Sequence, residues 1–182
     1  MALIKQWESE IKKKLKPECP LSVFLLHGKK IAYDKLRTYD VVLTSYGTLA
    51  QEWKKYDKYR LEHPEADYDE VVELARACPL IHGKSKWYRV ILDEAQCIKN
   101  KDTLSARAAN QLQAVYRWCL TGTPMMNGVL ELYSLIRFLR IGPYHDNKKF
   151  NEVSSLRRHN FGHVLSDKGL RLPHAEKRKQ IE

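Results

Sequence analysis

The chain has 182 residues, of which 43% are hydrophobic and 30% charged, a composition typical of one globular domain and unlike that of a disordered or fibrous protein. Lysine and arginine (32) exceed aspartate and glutamate (22), and the net charge of +10 favours polyanionic partners without identifying one. No apolar run approaches the ~20 residues that cross a bilayer, and the N-terminus lacks the apolar core of a secretion signal. The separated cysteines indicate neither a zinc site nor a disulfide framework. We therefore expect an intracellular protein without a membrane partner.

The first part of the chain alternates helices with short apolar strands. Apolar residues at every fourth position predict an amphipathic first helix, which Pro17 closes. The predicted elements, in chain order, are a helix over 3–15, a strand over 21–26, a short helix around 31–36, a strand over 40–46 and a helix through 49–56.

Between Arg60 and Lys86 the pattern changes. Pro64 interrupts the chain, and Asp67 and Glu70 stand in capping-box-like spacing ahead of a short apolar stretch, which predicts an inserted helix. Two interpretations of this insertion stay open, a packed spacer and a helix that docks a partner.

The strand–helix alternation then resumes. The predicted elements are a strand over 88–92, a helix through 104–112, a strand over 115–120 and an apolar helix over 129–139, which Gly142 and Pro143 stop. Beyond Phe150 the apolar period is lost, so we expect one domain over 1–150 and, after about one helical turn, a poorly ordered charged tail over 151–182.

Short apolar strands alternating with helices predict an α/β fold, in which a parallel sheet has helices on both faces. Ligands bind such sheets at the carboxyl ends of the strands. Polar residues follow three of the predicted strands, at Thr44–Ser45, Asp93–Glu94 and Thr121–Pro124. We therefore expect these groups to meet at one edge of the sheet.

The acidic pair Asp93–Glu94 follows an apolar run, where a carboxylate needs a cation or hydrogen bonds to offset its desolvation. In sites that hydrolyse nucleotides the first acid holds Mg²⁺ and the second orients or deprotonates the attacking water. Alone, such a pair is more typical of a helix cap or turn, and Thr121–Pro124 alone is typical of a Gly-Pro turn. Their occurrence together, on neighbouring strand ends, favours a phosphate-handling site.

These stretches resemble a known family. LDEAQCIKN (Leu92–Asn100) and LTGTPMMN (Leu120–Asn127) resemble the Walker B box and motif III of the Swi/Snf-type ATPases of helicase superfamily two, with Gln96 where many relatives have histidine. DVVLTSYGTL and LIKQWESEI resemble motif Ib and the end of the motif Ia region, and the likeness spans about Leu3 to Phe150. The combination is most similar to a fungal subgroup of DNA translocases whose full-length members carry a RING finger, some of them acting on SUMO-modified proteins.

The resemblance implies a RecA-like parallel sheet flanked by helices, forming most of the first lobe of a nuclear ATPase that moves along DNA. The implied cofactors are ATP and Mg²⁺. The implied partners are double-stranded DNA or chromatin, and SUMO-modified or ubiquitin-pathway proteins bound through parts of the parent outside this sequence.

The resemblance also implies a role for each matching residue. Asp93 would hold Mg²⁺, Glu94 would activate water, and Gln96 would link the nucleotide to the rest of the motor. The nucleotide-binding and coupling residues would be Thr121, Gly122 and Thr123, and the residues touching the DNA backbone would be Thr44 and Ser45.

The family's phosphate loop, G-x-G-K-[ST], does not occur in the sequence. Lysine directly follows two glycines, Gly28 and Gly83, and neither has the second glycine two positions earlier that the loop requires. We expect an incomplete lobe that hydrolyses no ATP alone, with the phosphate loop and second lobe outside the chain. We also expect an open edge on the 115–120 strand, which would make the chain sticky and marginally stable. Two alternatives remain, a non-catalytic DNA- or protein-binding module and an RNA helicase of the wider superfamily.

Overall fold

The computed structural model describes residues 2–64, 78–81, 85–124 and 129–155. In chain order the elements are helix α1 (Ala2–Lys14), strand β1 (Val23–Leu26), helix α2 (Tyr33–Leu36), strand β2 (Val41–Thr44), helix α3 (Tyr46–Glu62), strand β3 (Lys86–Leu92), a 3-10 helix (Ala95–Ile98), helix α4 (Leu104–Gln111), strand β4 (Gln113–Cys119) and helix α5 (Val129–Leu139). A further helical segment, α6, covers 147–155. The predicted inserted helix and the tail after residue 155 lie outside the described residues.

The strands pair in parallel, as the alternation with helices predicts. β1 pairs with β2, with Val23 opposite Val41, and β3 pairs with β4, with Lys86 opposite Gln113. Among the described residues the pairing forms two two-stranded sheets instead of one continuous sheet. The two sheets are joined at their carboxyl ends by a side chain, because the Tyr46 hydroxyl donates a hydrogen bond of 2.8 Å to the Asp93 carbonyl.

Several element boundaries differ from those predicted. β2 ends at Thr44, because the Ser45 side chain accepts a hydrogen bond from the Thr48 N–H and caps α3. α3 then continues to Glu62, so the first residues of the predicted insertion belong to this helix, and β3 begins at Lys86. β4 starts at Gln113, two residues earlier than its apolar run indicates.

Helix α4 packs closely against α3. Its inward residues Ala106, Ala108 and Ala109 are fully buried, and their small side chains let the two helix backbones approach. The helix begins where the Thr103 hydroxyl accepts a hydrogen bond of 3.2 Å from the Ala106 N–H. Since α3 starts directly after β2 and α4 lies between β3 and β4 in the chain, this contact fixes one sheet relative to the other.

A buried turn at 78–81 packs between α3 and β3. The Glu52 carboxylate on α3 accepts a hydrogen bond of 3.0 Å from the Leu80 N–H, and the Trp87 indole donates one of 3.1 Å to the Leu80 carbonyl. Glu52 is 8% exposed, so a carboxyl group lies in the core at this point. On the other side α5 closes the core with Phe138, which is fully buried beneath the Arg117 guanidinium at 5.1 Å.

The outer face of β3 and β4 carries Ile91, Tyr116 and Trp118, each about half exposed, with the Arg89 guanidinium 4.7 Å from the Trp118 ring. In the described part of the chain β4 pairs with β3 alone, so its second edge is open. Stickiness and marginal stability stay predictions. None of the described helices is long and apolar enough to cross a membrane.

Candidate functional site

The acidic pair forms the turn that follows β3. Glu94 has φ 48° and ψ 52°, in the left-handed region, where a residue with a Cβ costs about 1–2 kcal/mol. The turn is held against β4, since the Ala95 N–H donates a hydrogen bond of 2.9 Å to the Leu120 carbonyl. The Asp93 carboxylate accepts another, of 3.0 Å, from the Glu94 N–H. A strained backbone held by its neighbours is common at functional sites.

Gln96 joins the acidic turn to the end of β4. Its amide nitrogen donates a hydrogen bond of 2.5 Å to the Glu94 carboxylate, and its amide oxygen accepts one of 2.7 Å from the Thr121 hydroxyl. The Thr121 hydroxyl oxygen also accepts a bond of 3.1 Å from the Thr123 N–H. The structure thus brings together the acidic pair, Gln96, Thr121 and Thr123 in one hydrogen-bonded chain.

Gly122 lies on the exposed surface of this site, and a Cβ placed there would meet no atom within 4 Å. No described neighbour therefore requires glycine at this position. The open space leaves room for a bound group to approach the backbone closely.

Two aromatic side chains hold Asp93, and sequence reasoning assigned neither of them a role. The Trp7 indole on α1 donates a hydrogen bond of 2.8 Å to the Asp93 carboxylate, and the Tyr46 hydroxyl donates one of 2.8 Å to its carbonyl. Burial, together with nearby thiols and carboxylates, raises the Tyr46 pKa, so this hydroxyl stays protonated and remains a donor. Tyr46 directly follows Thr44–Ser45, so its position in the sequence could have indicated that it lies at the site. Trp7 lies 86 positions from Asp93, and nothing in the sequence indicates that the two residues meet.

Thr44 and Ser45 lie near the site, but their hydroxyls already have partners within the protein. The Thr44 hydroxyl donates to the Leu26 carbonyl at 2.9 Å, and the Ser45 oxygen accepts from the Thr48 N–H at 3.2 Å. Phosphate oxygens accept hydrogen bonds, so a phosphate contact through the Thr44 hydroxyl requires it to leave Leu26. Among the hydrogen bonds of the described residues, their neighbour Tyr46 makes the link to the acidic turn.

Comparison with known proteins identifies the family. A model of the SNF2-related domain matches residues 1–171. An uncharacterised ATP-dependent helicase of Schizosaccharomyces pombe is 44% identical over 84% of this chain and 14% of its own length. The ATP-dependent helicase ULS1 of Saccharomyces cerevisiae is 36% identical over 82% of this chain and 10% of its length. The DNA repair protein RAD5A of Arabidopsis thaliana is 38% identical over 79% of this chain and 12% of its own length. The chain therefore spans about a tenth to a seventh of these relatives.

The fold agrees with that match. The Sulfolobus solfataricus SWI2/SNF2 ATPase core in complex with dsDNA superimposes with a TM-score of 0.53 and 26% identity, over 91% of this chain and 31% of that one. The predicted RecA-like α/β fold class and the predicted resemblance are thereby confirmed. By sequence and by fold, this chain belongs to the SNF2-related domain family.

Proposed function

We propose that these residues form part of the first lobe of a nuclear ATP-dependent motor that moves on duplex DNA. The observation that carries the proposal is the Gln96 bridge, which connects Glu94 at the end of β3 with Thr121 at the end of β4. Relatives named ATP-dependent helicases and DNA repair proteins, and a related ATPase core solved with dsDNA, support it.

In this proposal Glu94 is the general base or water-orienting residue. Its side chain is exposed, and its Gln96 contact limits the directions in which the carboxylate points. Gln96 relates the state of Glu94 to Thr121, and Thr121, Gly122 and Thr123 form the loop that contacts nucleotide phosphate. A shift of that loop breaks or tightens the Gln96 contact, which is how nucleotide state reaches the rest of the motor.

The donor set at the acidic turn fits Mg²⁺. This ion prefers oxygen ligands and binds through one or two carboxylates completed by phosphate oxygens and water. Among the described residues no group of three or more acidic, histidine or cysteine side chains converges, so a metal bound by protein alone is not favoured here. Asp93 is the residue that would hold Mg²⁺ with ATP, and the ion would supply charge neutralisation of the phosphates.

We propose that DNA backbone phosphates meet the N-terminus of α3, next to Thr44 and Ser45. This helix has 17 residues, and its first-turn N–H groups and dipole favour anions. Because the Thr44 and Ser45 hydroxyls are engaged, we assign the contact mainly to backbone N–H groups, with the Ser45 side chain setting their position.

Ser45→Ala is expected to weaken duplex DNA binding by this chain about fivefold, equivalent to about 1 kcal/mol, because the cap that orders the first turn of α3 is lost. Thr103→Ala is the matched control, since Thr103 caps α4 in the same way and costs a similar ~1 kcal/mol of stability. Fluorescence anisotropy at fixed salt measures the affinity. Equal affinities of the two variants would remove the N-terminus of α3 from the DNA contact.

Finer assignments extend the same proposal. We place the chain in the fungal RING-finger-containing subgroup, with SUMO-modified or ubiquitin-pathway proteins bound elsewhere in the parent. Residues 1–150 form the domain, 60–86 include its insertion and 151–182 form a tail.

A second candidate, a non-catalytic DNA- or protein-binding module, is favoured by the lack of a G-x-G-K-[ST] stretch in the sequence. Salt-sensitive DNA binding that ATP leaves unchanged in the intact parent would support this second candidate.

A further inference from the structure

The Asp93 carboxylate is held at both of its oxygens. One oxygen accepts the Glu94 N–H at 3.0 Å, and the other accepts the Trp7 indole N–H at 2.8 Å. A carboxylate oxygen has two acceptor positions, so each keeps one free after these bonds. The two donors stop the carboxylate from rotating and thereby fix where its free positions point.

Trp7 comes from outside the βα units that build the site. It lies on α1, which is joined to the β3 turn by this hydrogen bond across 86 positions of sequence. Trp7 is 41% exposed, so burial alone does not explain its position. Its N–H is the group that finds a specific partner.

Asp93 and Trp7 share the wall of one cavity. The cavity has a volume of about 680 Å³ and lies beside α1. Its lining includes the apolar Leu3, Ile11, Leu21 and Val41 and also the polar Gln6, Glu10 and Lys14. Most of the side chains that line this cavity with Asp93 are apolar.

We propose that Trp7 is a positioning residue that holds the Asp93 carboxylate in the orientation that receives a divalent cation. This inference rests on the metal role of Asp93 in the proposed function. Hydrogen-bond partners of a metal ligand fix its orientation, and their loss typically weakens metal binding by about 10–100-fold. α1 thus contributes to the metal site without touching the metal.

Fluorine NMR of the full chain labelled with 5-fluorotryptophan tests the contact, with Mn²⁺ as the probe. The chain has four tryptophans, and Trp7→Phe identifies the Trp7 resonance by its loss. Asp93→Asn is expected to shift that resonance and leave the others in place. Mn²⁺ is expected to broaden the Trp7 resonance first, and Asp93→Asn to abolish this selective broadening.

The affinity of the intact ATPase core for Mn²⁺ at a fixed concentration of ATP, measured from free Mn²⁺ by electron paramagnetic resonance, separates the inference from the proposed function. Trp7→Phe is expected to weaken binding by about 10–100-fold. Trp118→Phe is the control, because Trp118 is similarly exposed, at 49% against 41% for Trp7, and its ring contacts the Arg89 guanidinium instead. Trp7→His keeps a ring N–H and is expected to recover part of the lost affinity. It also replaces Trp7→Phe as the test variant if Trp7→Phe unfolds.

The outcomes are distinct. Mn²⁺ binding that depends on Asp93 and is equal in the wild type, Trp7→Phe and Trp7→His would overturn the role of Trp7 alone. Absence of Asp93-dependent Mn²⁺ binding in the wild-type core with ATP present would overturn the metal role of Asp93, and with it the role of Trp7.

Discussion

Glu94→Gln is expected to lower DNA-stimulated ATP turnover of the intact ATPase core by about 10²–10⁴-fold, the typical contribution of a general acid or base. The substitution keeps the shape of the side chain and an oxygen that accepts the Gln96 bond, so the turn after β3 keeps its contacts. It removes the negative charge that orients or deprotonates water. The loss should therefore appear in kcat, with little change in the concentration of ATP at half-maximal rate.

Asp102→Asn is the matched control for this experiment. Asp102 lies eight positions further along the chain, and its side chain is 65% exposed in a contact with Lys101. Surface ion pairs of this kind contribute about 0–1 kcal/mol, so turnover should stay at the level of the wild type. Retention of most of the wild-type kcat by Glu94→Gln would show that Glu94 does not act on the reacting water.

Glu52→Gln is expected to stabilise the chain by about 3 kcal/mol at pH 8 and to change stability little at pH 4. Burial raises the pKa of Glu52 from 4.5 to about 7, and the hydrogen bond from Leu80 and the charge of Lys55 only partly offset this. The folded protein therefore binds the proton more tightly than the unfolded chain. Stability from this group is complete below pH 4.5, falls as the pH rises to about 7, and then stays constant.

Glutamine stays neutral at every pH and keeps an oxygen that accepts the Leu80 N–H, so the variant lacks this component of the pH dependence. Urea unfolding at pH 4 and pH 8 gives the two free energies. Glu62→Gln is the control on the same helix, because Glu62 is 54% exposed and pairs with Lys58 at the surface. Parallel pH profiles for the wild type and Glu52→Gln would place the Glu52 carboxyl in contact with solvent.

The parallel strands and the convergence of their ends follow from local patterns and could be predicted. Alternating apolar runs and helices specify parallel pairing, and parallel strands bring their carboxyl ends to one edge. The Gln96 bridge from Glu94 to Thr121 is a direct result. The predicted end of β2 was wrong, because the apolar run reaches Tyr46 whereas Ser45 already caps the start of α3.

Contacts over long sequence separation could not be predicted. Trp7 has the spacing of an ordinary apolar position on α1, and only the packing of this helix shows that its indole reaches Asp93. Glu52 is an intermediate case. It stands three positions after Leu49, on the same side of α3, so its burial was accessible from helical spacing. Its partner Leu80, 28 positions away, was not.

The Gln96 bridge is tested most directly by Gln96→Ala in the intact ATPase core, with ATP turnover measured in the presence and absence of duplex DNA. The amide joins Glu94 to Thr121, so its removal separates the acidic turn from the loop after β4. We predict that duplex DNA no longer stimulates turnover, while the turnover without DNA persists. Full stimulation by DNA in the Gln96→Ala variant would contradict the assignment of these strand ends as one coupled ATPase site.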